Sequence, residues 1–129
     1  MMKEPDQQLF DEIFSRLSDK GLSVFDFLPP LGTKYPFIVM GDTHTIPTPT
    51  KSKLYGMCTT TIHVWGDDSD RKKVSDLIAN ITFEVSKIKQ IENRQWFMQM
   101  KESDTEILKD NSTNENLYHG IINIYFKFI

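Results

Sequence analysis

Apolar residues recur at helical spacing in two stretches of the chain and at strand-like spacing in most of the rest. Leu9, Phe10, Ile13, Phe14 and Leu17 share one face of a helix predicted from about Pro5 to Lys20. Pro5 suits the first turn, where a missing N–H costs nothing, and Asp6 complements the positive helix end. Gly21 can take the left-handed conformation that stops a helix, and Leu22 then falls where it can touch Leu17. That combination predicts a Schellman closure.

Beyond this helix the pattern shortens. Val24, Phe25, Phe27 and Leu28 predict a short strand ended by Pro29-Pro30. Phe37-Ile38-Val39-Met40 is a continuous apolar run, the signature of a strand covered on both faces. Residues 41–53 hold Pro47 and Pro49 among Thr, Ser and Lys, and predict an exposed arm, with Lys34, Lys51 and Lys53 making the neighbourhood locally positive. Leu54 to Trp65 is the clearest strand, rich in β-branched and aromatic residues. Leu54, Cys58, Ile62 and Val64 fall on one face; Tyr55, Met57, Thr59, Thr61, His63 and Trp65 fall on the other. The mixed second face points to partial exposure or a partner.

Gly66-Asp67-Asp68-Ser69 breaks that strand and offers capping oxygens to a second helix, about Ser69 to Lys87. Val74, Leu77, Ile78, Ile81, Val85 and Ile88 form its apolar stripe, opposite Lys72, Lys73, Asp76, Asn80, Glu84 and Lys87. Trp96 to Met100 starts another strand, extended toward Ile107-Leu108 with a bend near Ser103-Asp104. Residues 110–116 are a polar turn. Leu117 to Ile129 alternates, with Ile122, Ile124, Phe126 and Phe128 on one face and Asn123, Tyr125 and Lys127 on the other. The order helix, strands, long arm, strand, helix, carboxy-terminal hairpin predicts an α+β fold: a mostly antiparallel sheet with two helices packed on one face.

The chain has 129 residues, which fits one domain spanning 1–129. Its 39% hydrophobic and 26% charged residues exclude a wholly disordered chain. A net charge of −3 argues against a generally basic nucleic-acid binder. The lone Cys58 excludes an internal disulfide framework and a paired-cysteine zinc site. With no apolar run long enough to cross a bilayer and no signal-like start, a soluble, intracellularly made protein is expected.

Catalytic constellations fail on spacing. His44, His63 and His119 lie in separate elements without the close pairing of a helical metal site. Cys58 and His63 are five residues apart on one strand, so they project from opposite faces and cannot form a nucleophile–base pair. Asp67, Asp68 and Asp70 precede a helix and do not fit a calcium loop, so capping is the expected role. The glycines are too scattered for a phosphate-binding loop. Arg71-Lys72-Lys73 with Lys89 and Arg94 could touch nucleic acid, with Trp65, Trp96 and Phe97 stacking on bases. A solvated helix face and core aromatics are the simpler reading. No catalytic, cofactor or metal residue is assigned.

The run Tyr35-Pro36-Phe37-Ile38-Val39, the strand Thr61-Ile62-His63-Val64-Trp65-Gly66-Asp67, the helix positions Val74, Leu77 and Ile78, and the closing Tyr118-His119-Gly120-Ile121-Ile122 follow in order through nearly the whole chain. This series resembles the tail completion, or tail terminator, proteins of long-tailed bacteriophages and prophages. The resemblance implies a non-enzymatic virion protein without cofactors, made in the bacterial host cytoplasm. Its copies would close into a hexameric ring at the head-proximal end of the tail. The implied partners are further copies of the chain, the tail tube protein and the head connector or head-closure protein. Neither a membrane nor a specific nucleic-acid sequence is implied. The stretch from Lys101 to Asn116 departs from the family pattern in being longer and more acidic.

On that footing His44, Pro47, Pro49, Lys51, Lys53, Tyr55, His63 and Trp65 are candidate interface residues, because an arm and a mixed sheet face are ready donors for contacts between subunits. Glu102, Asp104, Glu106, Asp110 and Glu115 are candidate channel-facing acids that would repel passing DNA; a solvated outer hairpin is the competing reading. Another neck component, or a small α+β ligand-binding domain or enzyme, remains an alternative.

Overall fold

A computed structural model describes residues 3–49 and 54–129. The elements are α1 (Pro5–Asp19), β1 (Val24–Phe25), β2 (Phe37–Pro49), β3 (Leu54–Gly66), α2 (Arg71–Ser86), β4 (Gln90–Ile91), β5 (Arg94–Met98), β6 (Asp104–Asp110) and β7 (Leu117–Phe128). The strands run in the order β1-β2-β3-β7-β5-β4, and among the described residues β1 with β2 is the one parallel pair. Along the outer side of β7, β5 takes Phe126 to Phe128 and β6 takes Leu117 to Asn123. The outer edge of β6 has no strand partner among the described residues. This is the α+β arrangement expected from the sequence.

Both helices lie on one face of the sheet, and the core fills the space between. Leu9, Ile13 and Leu17 of α1 and Val74, Ile78, Ile81 and Val85 of α2 meet Ile38, Met40, Cys58, Ile62, Val64, Ile122, Ile124, Phe126 and Phe128 of the sheet. Full burial of such side chains contributes roughly 1.5–3 kcal/mol each. Trp96 of β5 packs edge-on to Phe126, with ring centroids 5.8 Å apart. Helix α1 ends as its sequence requires. Gly21 has φ 78°, its N–H donates to Ser18 at 2.9 Å, and the Leu22 N–H donates to Leu17 at 3.2 Å.

Three local expectations need correction. Residues 41–49 are not an exposed loop; they continue β2 and pair with β3 as far as Pro49 opposite Leu54. Beyond Met40 this stretch is a sheet edge, where two prolines spaced two apart put both missing N–H groups on one side, away from the ladder. Residues 50–53, which complete the expected arm, lie outside the described residues. The strand near 24–28 is only Val24–Phe25, and Phe27 and Leu28 are exposed. Asp67 and Asp70 do not cap α2 with their side chains: Asp70 Oδ2 accepts the Asp67 N–H and Asp67 Oδ1 accepts the Ser69 N–H, both at 2.9 Å. These carboxylates satisfy the loop and leave the helix to its dipole and backbone.

Arg94 is also corrected. It is buried, and its Nη1 donates to Gln8 Oε1 at 2.9 Å and to the Lys3 carbonyl at 2.7 Å, tying β5 to the start of α1. It therefore has no surface to offer nucleic acid. Trp96 is wholly buried and equally excluded as a stacking platform, whereas Arg71, Lys72 and Lys73 lie exposed.

Candidate functional site

The sheet face away from the helices carries the unusual chemistry. Its parity is set by β3, where Cys58, Thr60, Ile62 and Val64 are buried beneath the helices while Met57, Thr59, Thr61, His63 and Trp65 are half-buried on the open side. The register with β7 adds His119 opposite Trp65, Ile121 opposite His63, Asn123 opposite Thr61 and Tyr125 opposite Thr59. On β6, Leu108, Glu106 and Asp104 follow opposite His119, Ile121 and Asn123.

A bulge in β2 decides which of its residues join this face. Met40 pairs with Ile62 but Thr43 pairs with Thr60, so β2 spends one extra residue and its alternation flips. Before the bulge Phe37 and Val39 lie with Trp65 and His63. After it His44 and Ile46 lie with Thr59 and Met57, while Thr45 turns inward and meets the Cys58 sulfur at 3.6 Å. Gly41 sits in the bulge because a Cβ there would come within 2.7 Å of the Thr61 carbonyl and 2.8 Å of His63 Nε2.

The centre of the face is a stack of three rings. His63 Nδ1 and His119 Nε2 are 2.7 Å apart, and the His119 ring lies on Trp65 with centroids 3.9 Å apart and planes 9° from parallel. Burial pushes both imidazoles below their ordinary pKa. For His119 the His63 ring adds to the lowering; Asp42 beside His63 and Asp110 beside His119 oppose it. Neutral rings fit the contact, since one must donate and the other accept. Next to the stack, Thr61 Oγ1 donates to Asn123 Oδ1 at 2.9 Å and Asn123 Nδ2 donates to Asp104 Oδ1 at 3.0 Å. That chain of bonds ties β3, β7 and β6 together across the face.

The expected interface residues are thus only partly united. His44, Tyr55, His63 and Trp65 share the open face by register, and Pro47 has the opposite parity. Pro49 ends β2, and Lys51 and Lys53 lie outside the described residues. Of the expected acids, Asp104, Glu106 and Asp110 belong to β6, Glu102 to the turn before it, and Glu115 to the 111–116 loop beside Tyr35. His119 was not among the expected interface residues, although it lies against His63. Only the β3–β7 register could have revealed it, since the two lie 56 residues apart.

Cys58 lies on the other side of the sheet, and burial pushes its thiol up to about 11. Among the described residues no three His, Cys, Asp or Glu side chains gather as a metal-binding group. What the face offers is flat aromatic area, paired imidazoles and fixed amide and carboxylate groups next to the β6 edge, which has no strand partner among the described residues.

No protein-family model matches the sequence, and no curated protein does. Solved structures do match in fold. A chain in the virion of a native gene transfer agent particle superimposes with a TM-score of 0.63 at 9% identity, over 95% of this chain and 94% of that one. The gp17 protein of bacteriophage SPP1 superimposes with a TM-score of 0.51 at 21% identity, over 96% of this chain and 91% of its own. At these identities the chain shares with them a fold, end to end.

Proposed function

We propose that this protein is a structural component of a phage or phage-derived particle, and that it acts as a ring at the head-proximal end of the tail tube. There it ends tail polymerisation and presents the joint to the head connector. It works by surface contact.

The observation that supports this most directly is the open sheet face. A sheet in an isolated domain ordinarily turns one side to water with polar alternation. Here that side carries Phe37, Val39, His63, Trp65, His119 and Ile121, all at least half-buried without any described helix above them, and it adjoins the edges of β6 and outer β2, which have no strand partner among the described residues. Such edges pair readily with another chain. The end-to-end fold shared with a virion chain and a bacteriophage protein, and the sequence resemblance to tail completion proteins, point the same way.

The test is to withhold this protein during particle assembly and examine the tails by electron microscopy. Tails of uncontrolled length that fail to join heads are expected, with joining restored when the protein is added back. Finding the protein on tail-free heads, and not on tails made without heads, would reassign it to head closure. Normal joined particles in its absence would refute the reading.

A further inference from the structure

A depression of about 550 Å³ opens where β3 ends and β7 begins. Its apolar wall includes Leu28, Leu31, Tyr35, Phe37, Trp65 and Leu117. Leu28 and Leu31 are 72% and 106% exposed, on a loop stiffened by Pro29-Pro30. The rim is acidic. Asp110 accepts the Ser112 N–H at 2.8 Å and its hydroxyl at 2.6 Å, which holds its carboxyl below the ordinary range, and Glu115 accepts the Tyr35 hydroxyl at 3.4 Å. No ion pair among the described residues uses either carboxylate, although Lys34 and Lys109 are near in sequence.

An apolar wall under an uncompensated negative rim fits a segment with cations beside apolar residues. The chain contains one: Lys51-Ser52-Lys53 runs directly into Leu54-Tyr55. The described residues that flank it, Pro49 and Leu54, pair with each other at the end of the β2–β3 ladder opposite Phe37 and Trp65. Eleven strand steps separate Leu54 from Trp65, roughly 35 Å at the usual rise. A chain therefore cannot bring its own link into its own depression, but a second copy can.

We infer that the Lys51–Lys53 link of one copy docks in the depression bounded by residues 28–33 and 110–115 of the next. The two surfaces differ, so the contact is heterologous: repeated with a rotation that closes it makes a ring, and otherwise a filament. The docking itself stands on charge and shape; only its closure into a ring rests on the function proposed above. Attraction between exposed charges also makes the contact weaken as salt rises.

Full-length Ser52→Cys and Asn114→Cys chains, mixed and mildly oxidised, test this. Buried Cys58 leaves the new thiols as the reactive pair. A mixed disulfide dimer is expected. Adding Lys51→Glu and Lys53→Glu to the first chain should lower its yield about tenfold, as the loss of two favourable pairs implies. Adding Asp110→Lys and Glu115→Lys to the second chain should do the same, and combining the two reversed chains should restore it. If Asp110→Lys disturbs folding, as heat unfolding would reveal, Glu115→Lys alone against Lys51→Glu serves. No mixed dimer, or a yield indifferent to charge reversal, overturns the docking. Rings seen by sedimentation without that disulfide would sink the docking and leave the proposed function standing. Conversely, a charge-dependent disulfide in a protein dispensable for head joining would support the docking and remove the function.

Discussion

His63 Nδ1 and His119 Nε2 lie 2.7 Å apart, joining β3 to β7 through side chains that only strand register brings together. The bond needs one donor and one acceptor, so a second proton on the pair breaks it.

The pair gives a pH dependence of known sign. Both imidazoles titrate below the ordinary 6.5, burial being the main cause, while Asp42 on β2 and Asp110 on β6 are the carboxylates that partly oppose it. The folded chain thus binds fewer protons than the unfolded chain just below pH 6.5, and stability falls as pH drops through that window. Thermal unfolding between pH 7.5 and 5 is expected to show this decline, flattened in His63→Gln/His119→Gln. Histidine titration by NMR should place both midpoints below 6.5; midpoints at or above it would contradict the reading.

Gly41 carries the bulge that turns His44 onto the open face. In Gly41→Ala the new methyl meets the Thr61 carbonyl, which belongs to the β2–β3 neighbourhood and has little room to move, as well as His63 Nε2. A cost of about 1–3 kcal/mol is expected in urea unfolding, as for overpacked sites. A shifted His63 resonance should accompany it. An unchanged midpoint would mean that the bulge relaxes freely.

The global arrangement was written in the sequence because burial writes periodicity. The stripe Val74, Ile78, Ile81, Val85 and the alternation Ile122, Ile124, Phe126, Phe128 each face the core as the spacing required. The Gly21–Leu22 stop was legible for the same reason: backbone chemistry local to a few residues decides it. What stayed hidden depends on partners distant along the chain. Pro47 and Pro49 signal a loop unless the strand is an edge, and edges are a property of the whole sheet. The parity flip at Gly41-Asp42 is invisible to alternation, since the bulge costs one residue with no hydrophobic mark. A deletion of residues 44–51, natural for a loose arm, would instead remove His44 to Pro49, which are paired strand residues.

Arg94 offers a test of how β5 and α1 are locked. Its guanidinium is the donor for both Gln8 Oε1 and the Lys3 carbonyl in a buried site. Arg94→Ala leaves those acceptors without their charged donor and removes a guanidinium whose central carbon lies 6.0 Å from the centroid of the Phe128 ring. A loss of about 2–3 kcal/mol is expected, as for hydrogen bonds to charged groups. Amide hydrogen exchange should show early opening at the start of α1. A loss confined to exposed-site values would place the lock elsewhere.

The two tryptophans divide stability from surface, and substituting them separately tests that division. Trp96 is fully buried against Phe126 and Phe128, so Trp96→Ala is expected to cost about 3–5 kcal/mol. Its indole N–H has no partner among the described residues. Trp96→Phe keeps the ring and discards an unsatisfied donor, and should therefore cost much less than the alanine change. Trp65 is half-buried, stacked on His119 and part of the wall of the depression at the sheet end. Trp65→Ala should lower stability by about 1 kcal/mol, the scale of one aromatic pair, while sharply reducing association between copies. Denaturant unfolding and sedimentation, run on the same preparations, separate the two effects. If Trp65→Ala unfolds the chain as severely as Trp96→Ala, the open face is part of the core and not a surface held ready for another molecule.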